Sequence, residues 1–217
     1  ARTAVIDPGV VQDQLQVAAR PHGLRLGPDP STSSRCTVGG MIGNNSSGAR
    51  SLVYGKTVDH VVALEAVLAD GTLRRFDEKG PAGIRALLEG RGPEPDLYRA
   101  VVRQVRETGP RIVEAFPRIL RRVSGYNLDE MLRGLRAVGE AVPEWTGPVA
   151  PQARSPEGFS LARLLVGSEG TLGLTTRATL NLVPRPEAVG LLVTMFGSRD
   201  QALEANLALL ELQPTAL

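Results

Sequence analysis

Hydrophobic and polar residues alternate most regularly between residues 174 and 182. The even-numbered positions of LTTRATLNL, from Leu174 to Leu182, are mostly apolar, whereas the odd-numbered positions carry Thr, Arg, Thr and Asn. A period of two residues is typical of a β-strand with one buried face. The pattern therefore predicts a half-buried strand here, closed by Pro184 and Pro186.

Further strands are predicted at two other places. The stretch DHVVALEAVLADGTLRRF, residues 59–76, contains two apolar-rich runs joined by Asp70-Gly71, a dipeptide that suits a tight hairpin turn. The opening stretch RTAVIDPGV predicts a short strand that ends in a Pro-Gly turn. The sequence therefore predicts a short strand at the start of the chain and a hairpin over residues 59–76.

Helical periodicity begins at residue 11. Residues 11–19 have apolar side chains at helical spacing and predict a helix, which Pro21 and Gly23 would stop. Residues 24–40 are rich in Pro, Ser and Gly and are interpreted as a loop. Residues 141–160 contain four prolines and are interpreted as a long surface loop.

Residues 80–140 are predicted to be mainly helical. Asp96 is placed to cap one helix, which Gly109-Pro110 would end. Asn127, with Glu130 three residues later, resembles a capping box at the start of a second helix.

The last part of the chain changes character after the prolines at residues 184 and 186. Residues 188–212 predict a strand followed by a helix, which Ser198 would cap with Gln201 at the third helical position. We therefore expect a boundary near residues 185–188, with one domain over 1–186 and the start of another over 187–217.

Composition narrows the class of protein. The chain has 217 residues, of which 42% are apolar and 22% charged, as in soluble globular proteins. Acidic and basic residues are interleaved, the net charge is only +2 and aromatic residues make up 4%, so no nucleic-acid partner is expected. A single cysteine excludes an internal disulfide and a multi-cysteine zinc site, and no metal site is predicted. No apolar run is long enough for a membrane span.

Two glycine-rich segments, Pro28–Gly48 and Gly167–Gly173, are the strongest candidates for a binding site. Glycine lets backbone N–H groups approach a ligand without a Cβ in the way. Ser, Thr and Asn add short hydrogen-bonding groups, so two such loops can surround a polar, anionic cofactor. The alternative is that both are tight turns with helix caps. Neither matches the GxxxxGK[ST] phosphate loop or the GxGxxG dinucleotide fingerprint.

Three separated motifs carry a family resemblance. They are DPSTSSRCTVGGMIGNNSSGARSLVYGKTVDHVVALEAVLADGT, then SGYNLDEM, then LLVGSEGTLGLTTRATLNLVPRP. Together they resemble the FAD-binding domain of the vanillyl-alcohol oxidase / p-cresol methylhydroxylase superfamily. Within it, the chain is most similar to FAD-linked oxidases such as D-lactate dehydrogenases, glycolate oxidase flavoprotein subunits and D-2-hydroxyglutarate dehydrogenases. The resemblance spans residues 1–186 and implies an α+β fold, with a mostly antiparallel sheet flanked by helices, in a fragment of a larger flavoprotein.

The resemblance also implies which residues contact FAD. In relatives, the first motif lines the flavin and approaches it through backbone, and its Asn- and Ser-rich part meets the pyrophosphate and flavin region. The third motif contacts the cofactor through main chain. Carried over by position, the implied cofactor-binding residues are Ser31, Thr32, Thr37, Gly39, Gly40, Asn44, Asn45, Ser46, Ser47, Gly48, Glu169, Gly170, Thr171 and Leu172.

The implied activity is oxidation of a 2-hydroxy acid with FAD as cofactor. The electron acceptor would be a quinone, a carrier protein or oxygen. The expected location is the cytoplasm, with a peripheral position at the inner face of the membrane as the alternative, and a homo-oligomer is one expected form. Two departures matter. A further GGGTS-type loop, which precedes the segment matching Ala1–Gly9 in relatives, is absent here, and the C-terminal cap domain is barely begun. Catalytic residues are therefore unassigned, and the isolated chain is expected to bind FAD weakly or not at all and to be inactive. The alternative is a non-catalytic scaffold or interaction module that has lost FAD.

Other reactive side chains have simpler interpretations. His22 is expected near a helix end, and His60 at the start of a strand, in a structural role. Cys36 could attach flavin covalently, but packing as a small apolar side chain is the preferred reading. The arginines of residues 118–122 could attract an acidic substrate, but a solvated helix face is preferred.

Overall fold

Between residues 2 and 216, which the computed structural model describes, six β-strands form two antiparallel sheets. The strands are β1 (Thr3–Ile6), β2 (Leu24–Arg25), β3 (Val61–Leu68), β4 (Leu73–Phe76), β5 (Gly173–Asn181) and β6 (Val183–Pro184). The larger sheet has the order β1-β5-β3-β4, and β2 pairs with β6 in a small ribbon. The predicted hairpin is confirmed, because β3 and β4 pair across Gly71, whose φ is +80°.

Helices connect the strands and pack against the sheet. In the described part of the chain they are α1 (Gln12–Ala19), α2 (Val38–Gly43), α3 (Ser51–Tyr54), α4 (Pro81–Glu89), α5 (Pro93–Ala115), α6 (Leu128–Ala137), α7 (Ala162–Leu165) and α8 (Arg199–Glu211). Short 3-10 turns cover Arg20–His22 and Thr57–His60. The first predicted helix is confirmed, and Gly23, with a φ of +67°, ends the 3-10 turn that follows it.

One hydrophobic core joins the larger sheet to the long helices. Ala66 of β3, Leu180 of β5, Val105 of α5 and Leu132 of α6 are all fully buried and belong to a single cluster. Antiparallel strands with helices packed on them confirm the predicted α+β class.

Strand β5 departs from the simple alternation that its sequence predicts. Ala178 and Leu180 are buried as expected, but Leu174 is 70% exposed. The pairing with β3 shifts between Glu65 and Ala66, whose partners are Arg177 and Thr175. The extra residue, Thr176, forms a β-bulge, and the alternation of side chains between the two faces of the sheet is reversed across it. Leu174 therefore faces away from the core.

Two predictions differ from the structure: the loop over residues 24–40 and the ends of the helix that contains Asp96. Residues 24–40 are not all loop, because they include β2 and the start of α2. Helix α5 begins at Pro93 rather than at Asp96 and continues through Pro110. A proline inside a helix removes one backbone hydrogen bond. Ile112, beyond the proline, is only 3% exposed, and burying it in the core favours continuing the helix.

The sequence predicts a strand and then a helix after β6, and only the helix is present. Helix α8 is present, and the Ser198 side chain accepts a hydrogen bond from the Gln201 amide, which confirms the predicted cap. The predicted strand over residues 188–196 is absent. Among the described residues no strand pairs with it, and its apolar side chains, Leu191 and Met195 above all, are exposed.

Replacing Gly48 by alanine is expected to destabilise the fold by about 3 kcal/mol. A Cβ at this position would lie 2.3 Å from the backbone carbonyl of Asp29, so one of the two loops has to move. Chemical denaturation of the Gly48→Ala variant measures the change.

Gly83→Ala is the matched control. The nearest atom to its added Cβ is 3.6 Å away, and alanine is favoured over glycine in a helix by ~1 kcal/mol. The control should be at least as stable as the original chain. Equal stability of the two variants would contradict the close packing of Gly48.

Candidate cofactor cleft

The two glycine-rich segments are in direct contact. The Gly167 amide donates to the Ile42 carbonyl at 2.9 Å, and the Glu169 amide donates to the Gly43 carbonyl at 3.1 Å. The C-terminal end of α2 is thereby joined to the turn between α7 and β5. Residues more than 120 positions apart in sequence thus form the two walls of one site.

A cleft of about 740 Å³ opens between these walls, within the size range of small-molecule sites. The first wall is α2 with the Pro-Gly turn after β1, and the second is the Gly-rich turn with the start of β5. The lining residues are Pro8, Gly9, Thr37, Gly39, Gly40, Ile42, Gly43, Asn44, Leu165, Ser168, Glu169, Gly170, Gly173, Leu174, Thr175 and Thr176.

Two glycines of α2 leave space on the cleft side of the helix. A Cβ added at Gly43 would meet nothing closer than 3.9 Å, and one at Gly40 would meet only the Thr37 hydroxyl at 3.3 Å. Both positions are helical, where glycine costs about 1 kcal/mol relative to alanine. Three residues apart, they lie on one face of the helix and border the cleft. Side chains there would fill space that a ligand could occupy.

Other glycines of the first segment are explained by packing within the chain. A Cβ at Gly39 would lie 2.7 Å from Pro8, and one at Gly48 would lie 2.3 Å from the Asp29 backbone. The density of glycine in this segment therefore has two causes, of which only one concerns a ligand.

The cleft contains few charged groups. Glu169 is the only ionisable residue among those that line it, and it is exposed. Hydrogen bonding there depends on backbone amides, the Asn44 carboxamide and hydroxyl groups. The Gly170 amide and the Asn44 side chain have no hydrogen-bond partner among residues 2–216. Such a cleft can hold a polar ligand, but its own side chains offer no acid–base pair for chemistry.

Six of the fourteen predicted cofactor-binding residues border this cleft. They are Thr37, Gly39, Gly40, Asn44, Glu169 and Gly170. The Thr37 hydroxyl also caps α2 by accepting a hydrogen bond from the Gly40 amide at 3.2 Å. Glu169 has a φ of +51°, a left-handed conformation that is uncommon for a residue other than glycine.

The remaining predicted residues of the first segment lie outside the cleft lining. Asn45 is fully buried, and its carboxamide accepts from the Val58 amide at 3.0 Å. The Ser46 carbonyl accepts from both the amide and the hydroxyl of Thr57. Ser31 and Thr32 lie in a turn before α2, and Ser47 and Gly48 lie in the irregular segment between α2 and α3.

The end of the second segment is also engaged within the chain. The Thr171 hydroxyl lies 2.9 Å from the Tyr126 hydroxyl and donates to the Ser168 carbonyl. Leu172 is partly buried against the core.

The sequence patterns missed several lining residues. The sequence around Pro8 and Gly9 predicts only a turn that closes a strand, yet the pairing of β1 with β5 brings that turn beside the Gly-rich loop. Leu174 and Thr176 were assigned to the buried face, and the β-bulge instead brings them to the cleft. The Pro-Gly turn is the one local signal that could have indicated its place at the site.

The Asn127 side chain holds the two segments together from behind the cleft. Its Nδ2 donates to the carbonyls of Val166 (2.7 Å) and Arg163 (3.2 Å). Its Oδ1 accepts from Asn45 Nδ2 at 3.2 Å and from an Arg122 guanidinium nitrogen at 3.1 Å. The predicted start of α6 is confirmed, because Asn127 is its N-cap residue, but the predicted capping hydrogen bond is absent, since the carboxamide makes no bond to the first turn. Its hydrogen bonds instead join the first Gly-rich segment to the residues just before the second.

Buried ion pairs surround this carboxamide. Arg122 pairs with Asp129, and Arg163, 2% exposed, pairs with Glu130. Burial raises the pKa of Glu130, but the nearby arginines outweigh it and leave that pKa below its usual value. The solvated helix face proposed for residues 118–122 is wrong, since this segment is not helical and Arg122 is buried.

His60 and Cys36 have structural positions. His60 is fully buried in a 3-10 turn just before β3, and its Nε2 donates to the Tyr54 carbonyl at 2.6 Å. Burial lowers its pKa from the ordinary value. Cys36 is half-buried against the core, and its thiol lies 3.5 Å from the Gln12 side-chain oxygen.

Comparison with known proteins supports a flavin site. Residues 1–77 match a family model described as an FAD binding domain. Over 96% of its length the chain is 34% identical to D-2-hydroxyglutarate dehydrogenase of Pantoea ananatis, of which it covers 18%. Over 93% of its length it is 29% identical to the glycolate oxidase subunit GlcD of Bacillus subtilis, covering 28% of that protein. It is 29% identical over the same share to D-lactate dehydrogenase of Archaeoglobus fulgidus, covering 29%.

These similarities confirm the resemblance to the FAD-linked oxidases. The chain spans less than a third of the length of each of these curated relatives. No helix among the described residues is long and apolar enough to cross a membrane.

Asn127→Ala is expected to destabilise the chain by about 3 kcal/mol. The substitution leaves two buried carbonyls and the Asn45 amide without their partner, and each unsatisfied group costs about 1–3 kcal/mol. Thermal and urea unfolding provide the measurement.

Asn206→Ala removes the same group from the exposed surface of α8 and should change stability by less than about 0.5 kcal/mol. An Asn127 variant as stable as this control would show that the carboxamide does not connect the segments.

Proposed function

We propose that this chain forms the FAD-binding cleft of an oxidoreductase that acts on a 2-hydroxy acid. The observation that supports this most strongly is the pair Gly40 and Gly43, open on the cleft side of α2 and facing the second Gly-rich turn. The match of residues 1–77 to an FAD binding domain covers this helix. Both observations concern the same wall of the same cleft.

The residues present fit a flavin nucleotide. FAD is anionic at its pyrophosphate, and backbone amides can bind such a group without a basic side chain. In this cleft the Gly170 amide, the Asn44 carboxamide and the Thr37 hydroxyl would hold the polar parts of the cofactor. Leu165 and Leu174 offer apolar surface to its rings. When bound, FAD would supply the redox chemistry, by accepting a hydride from the substrate carbon.

The proposed substrate is inferred from the names of the relatives. Their names point to D-2-hydroxyglutarate, glycolate and D-lactate as substrates. We propose a substrate of this 2-hydroxy acid class. An electron acceptor that is a quinone, a carrier protein or oxygen, and a cytoplasmic location, remain predictions.

Residues 1–186 are proposed to be the FAD-binding unit, with 187–217 as the start of a cap domain. Helix α8 has no buried residue, and the exposed apolar residues 189–196 make no strand pairing within the described chain. A segment that belongs to another folding unit would leave its apolar side chains uncovered in this way.

Gly43→Ala is expected to affect stability and FAD affinity in opposite directions. The added methyl group meets no atom closer than 3.9 Å and replaces a glycine at the last residue of α2, so stability should rise slightly, by ~0.5 kcal/mol. The same methyl group occupies the cleft, and we expect FAD affinity to fall at least tenfold, because a clash of this kind costs about 1–3 kcal/mol. Flavin fluorescence titration and thermal unfolding measure the two effects. Both should use the untruncated product of the gene that contains this sequence.

Gly83→Ala, in the exposed helix α4, is the control and should leave FAD affinity unchanged. An untruncated protein that is colourless and gains no flavin on reconstitution would refute the proposal and favour the non-catalytic scaffold. A protein that binds FAD but does not bleach with D-2-hydroxyglutarate, D-lactate or glycolate would refute the substrate class alone.

A further inference from the structure

A second cavity, of about 450 Å³, lies between α1 and the β2–β6 ribbon. None of the residues that line it lines the FAD cleft. Four arginines border it, and two acidic residues offset only half of their charge. The lining residues are Gln12, Asp13, Gln16, Val17, Arg20, Leu24, Arg25, Asp29, Ser33, Arg50 and Arg185.

The walls of this cavity are fixed by hydrogen bonds. The Gln16 carboxamide pairs with both backbone groups of Leu26, at 3.0 Å in each case. The Arg185 amide donates to the Gly23 carbonyl at 2.9 Å, which ties the end of β6 to the start of β2. The arginines are therefore carried by backbone segments that are held at fixed positions around the cavity.

Two of the four guanidinium groups have partners inside the chain. Arg50 forms an ion pair with Asp29 at 3.3 Å. Arg25 lies over the Tyr54 ring, 5.1 Å from its centre, and donates to the Leu26 carbonyl at 3.2 Å. The side chains of Arg20 and Arg185 make no hydrogen bond or ion pair with any residue from 2 to 216. Their donors are available to a ligand.

The arginines also repel one another. Burial lowers the pKa of Arg25, and the charges of Arg50 and Arg185 lower it further. The guanidinium stays charged, because arginine is effectively always protonated in proteins. An anion between these groups would relieve the repulsion and use the unpaired donors, since guanidinium groups bind carboxylate and phosphate oxygens in bidentate fashion.

We propose that this cavity is a binding site for a small organic dianion, separate from the FAD cleft. Its volume suits an organic ligand rather than a single ion. Val17 and Leu24 would contact the ligand's carbon chain, and Arg20 and Arg185 would bind its acidic groups. A dicarboxylate and a phosphate monoester share this chemistry.

Isothermal titration calorimetry at pH 7.5 and low salt tests the proposal on the untruncated protein. The probes are glutarate as the dicarboxylate, glycerol 3-phosphate as the phosphate monoester, and butyrate as a singly charged comparison. We expect one of the two dianions to bind at least tenfold more tightly than butyrate, because the second acidic group gains a charge-assisted bond. Which dianion binds identifies the source of the charge.

Arg185→Gln and Arg20→Gln should each weaken binding of that dianion by about tenfold. Both side chains are exposed, so the fold should be retained. Arg103→Gln removes the same charge from the exposed face of α5 and should leave affinity unchanged.

Three results would overturn the proposal: no binding by either dianion, equal weakening by Arg103→Gln, or displacement of the bound dianion by FAD. The last result would show that the cavity belongs to the cofactor site. The titration measures anion binding and neither flavin binding nor turnover. A negative result would therefore not contradict the proposed oxidoreductase function.

Discussion

The buried carboxamide of Asn127 is the interaction on which the arrangement of the cleft depends. It joins Asn45, at the end of the first Gly-rich segment, to the carbonyls of Arg163 and Val166, just before the second. Backbone hydrogen bonds complete the connection, because amides of the second segment donate to the carbonyls of Ile42 and Gly43. A buried carboxamide that is satisfied on both ends fixes geometry well, because any displacement leaves polar groups unpaired. The cleft is thus shaped by polar contacts behind it.

This rigid frame explains how a site with almost no charge can suit a charged cofactor. Backbone amides act as hydrogen-bond donors only when their positions are fixed, and glycine provides access to them. Within the first segment, Gly40 and Gly43 leave space on the cleft side of α2, whereas Gly39 and Gly48 make room for the chain itself. The chemistry would then come from FAD and from groups outside this cleft, which has a single ionisable residue.

Local patterns predicted much of the fold, and long-range contacts account for most of what they missed. The hairpin around Gly71, helix α1 and the Ser198 cap follow from turn and capping chemistry that neighbouring residues determine. The spacing of Asn127 to Glu130 predicts a cap, but no side-chain cap bond forms. Apart from Arg122, the partners of its carboxamide lie more than 30 residues away. The bulge that exposes Leu174 depends on the register with β3, which no pattern within β5 reveals. Motif resemblance indicated both walls of the cleft but not which side chains face it.

The most direct test of the shared cleft is an amide chemical-shift map of the protein during FAD titration. The account predicts that the amides of Gly40, Gly43 and Gly170 shift together, with one saturation curve, while that of Gly83 does not move. Shifts confined to one of the two segments, or none in either, would contradict a cofactor bound between them.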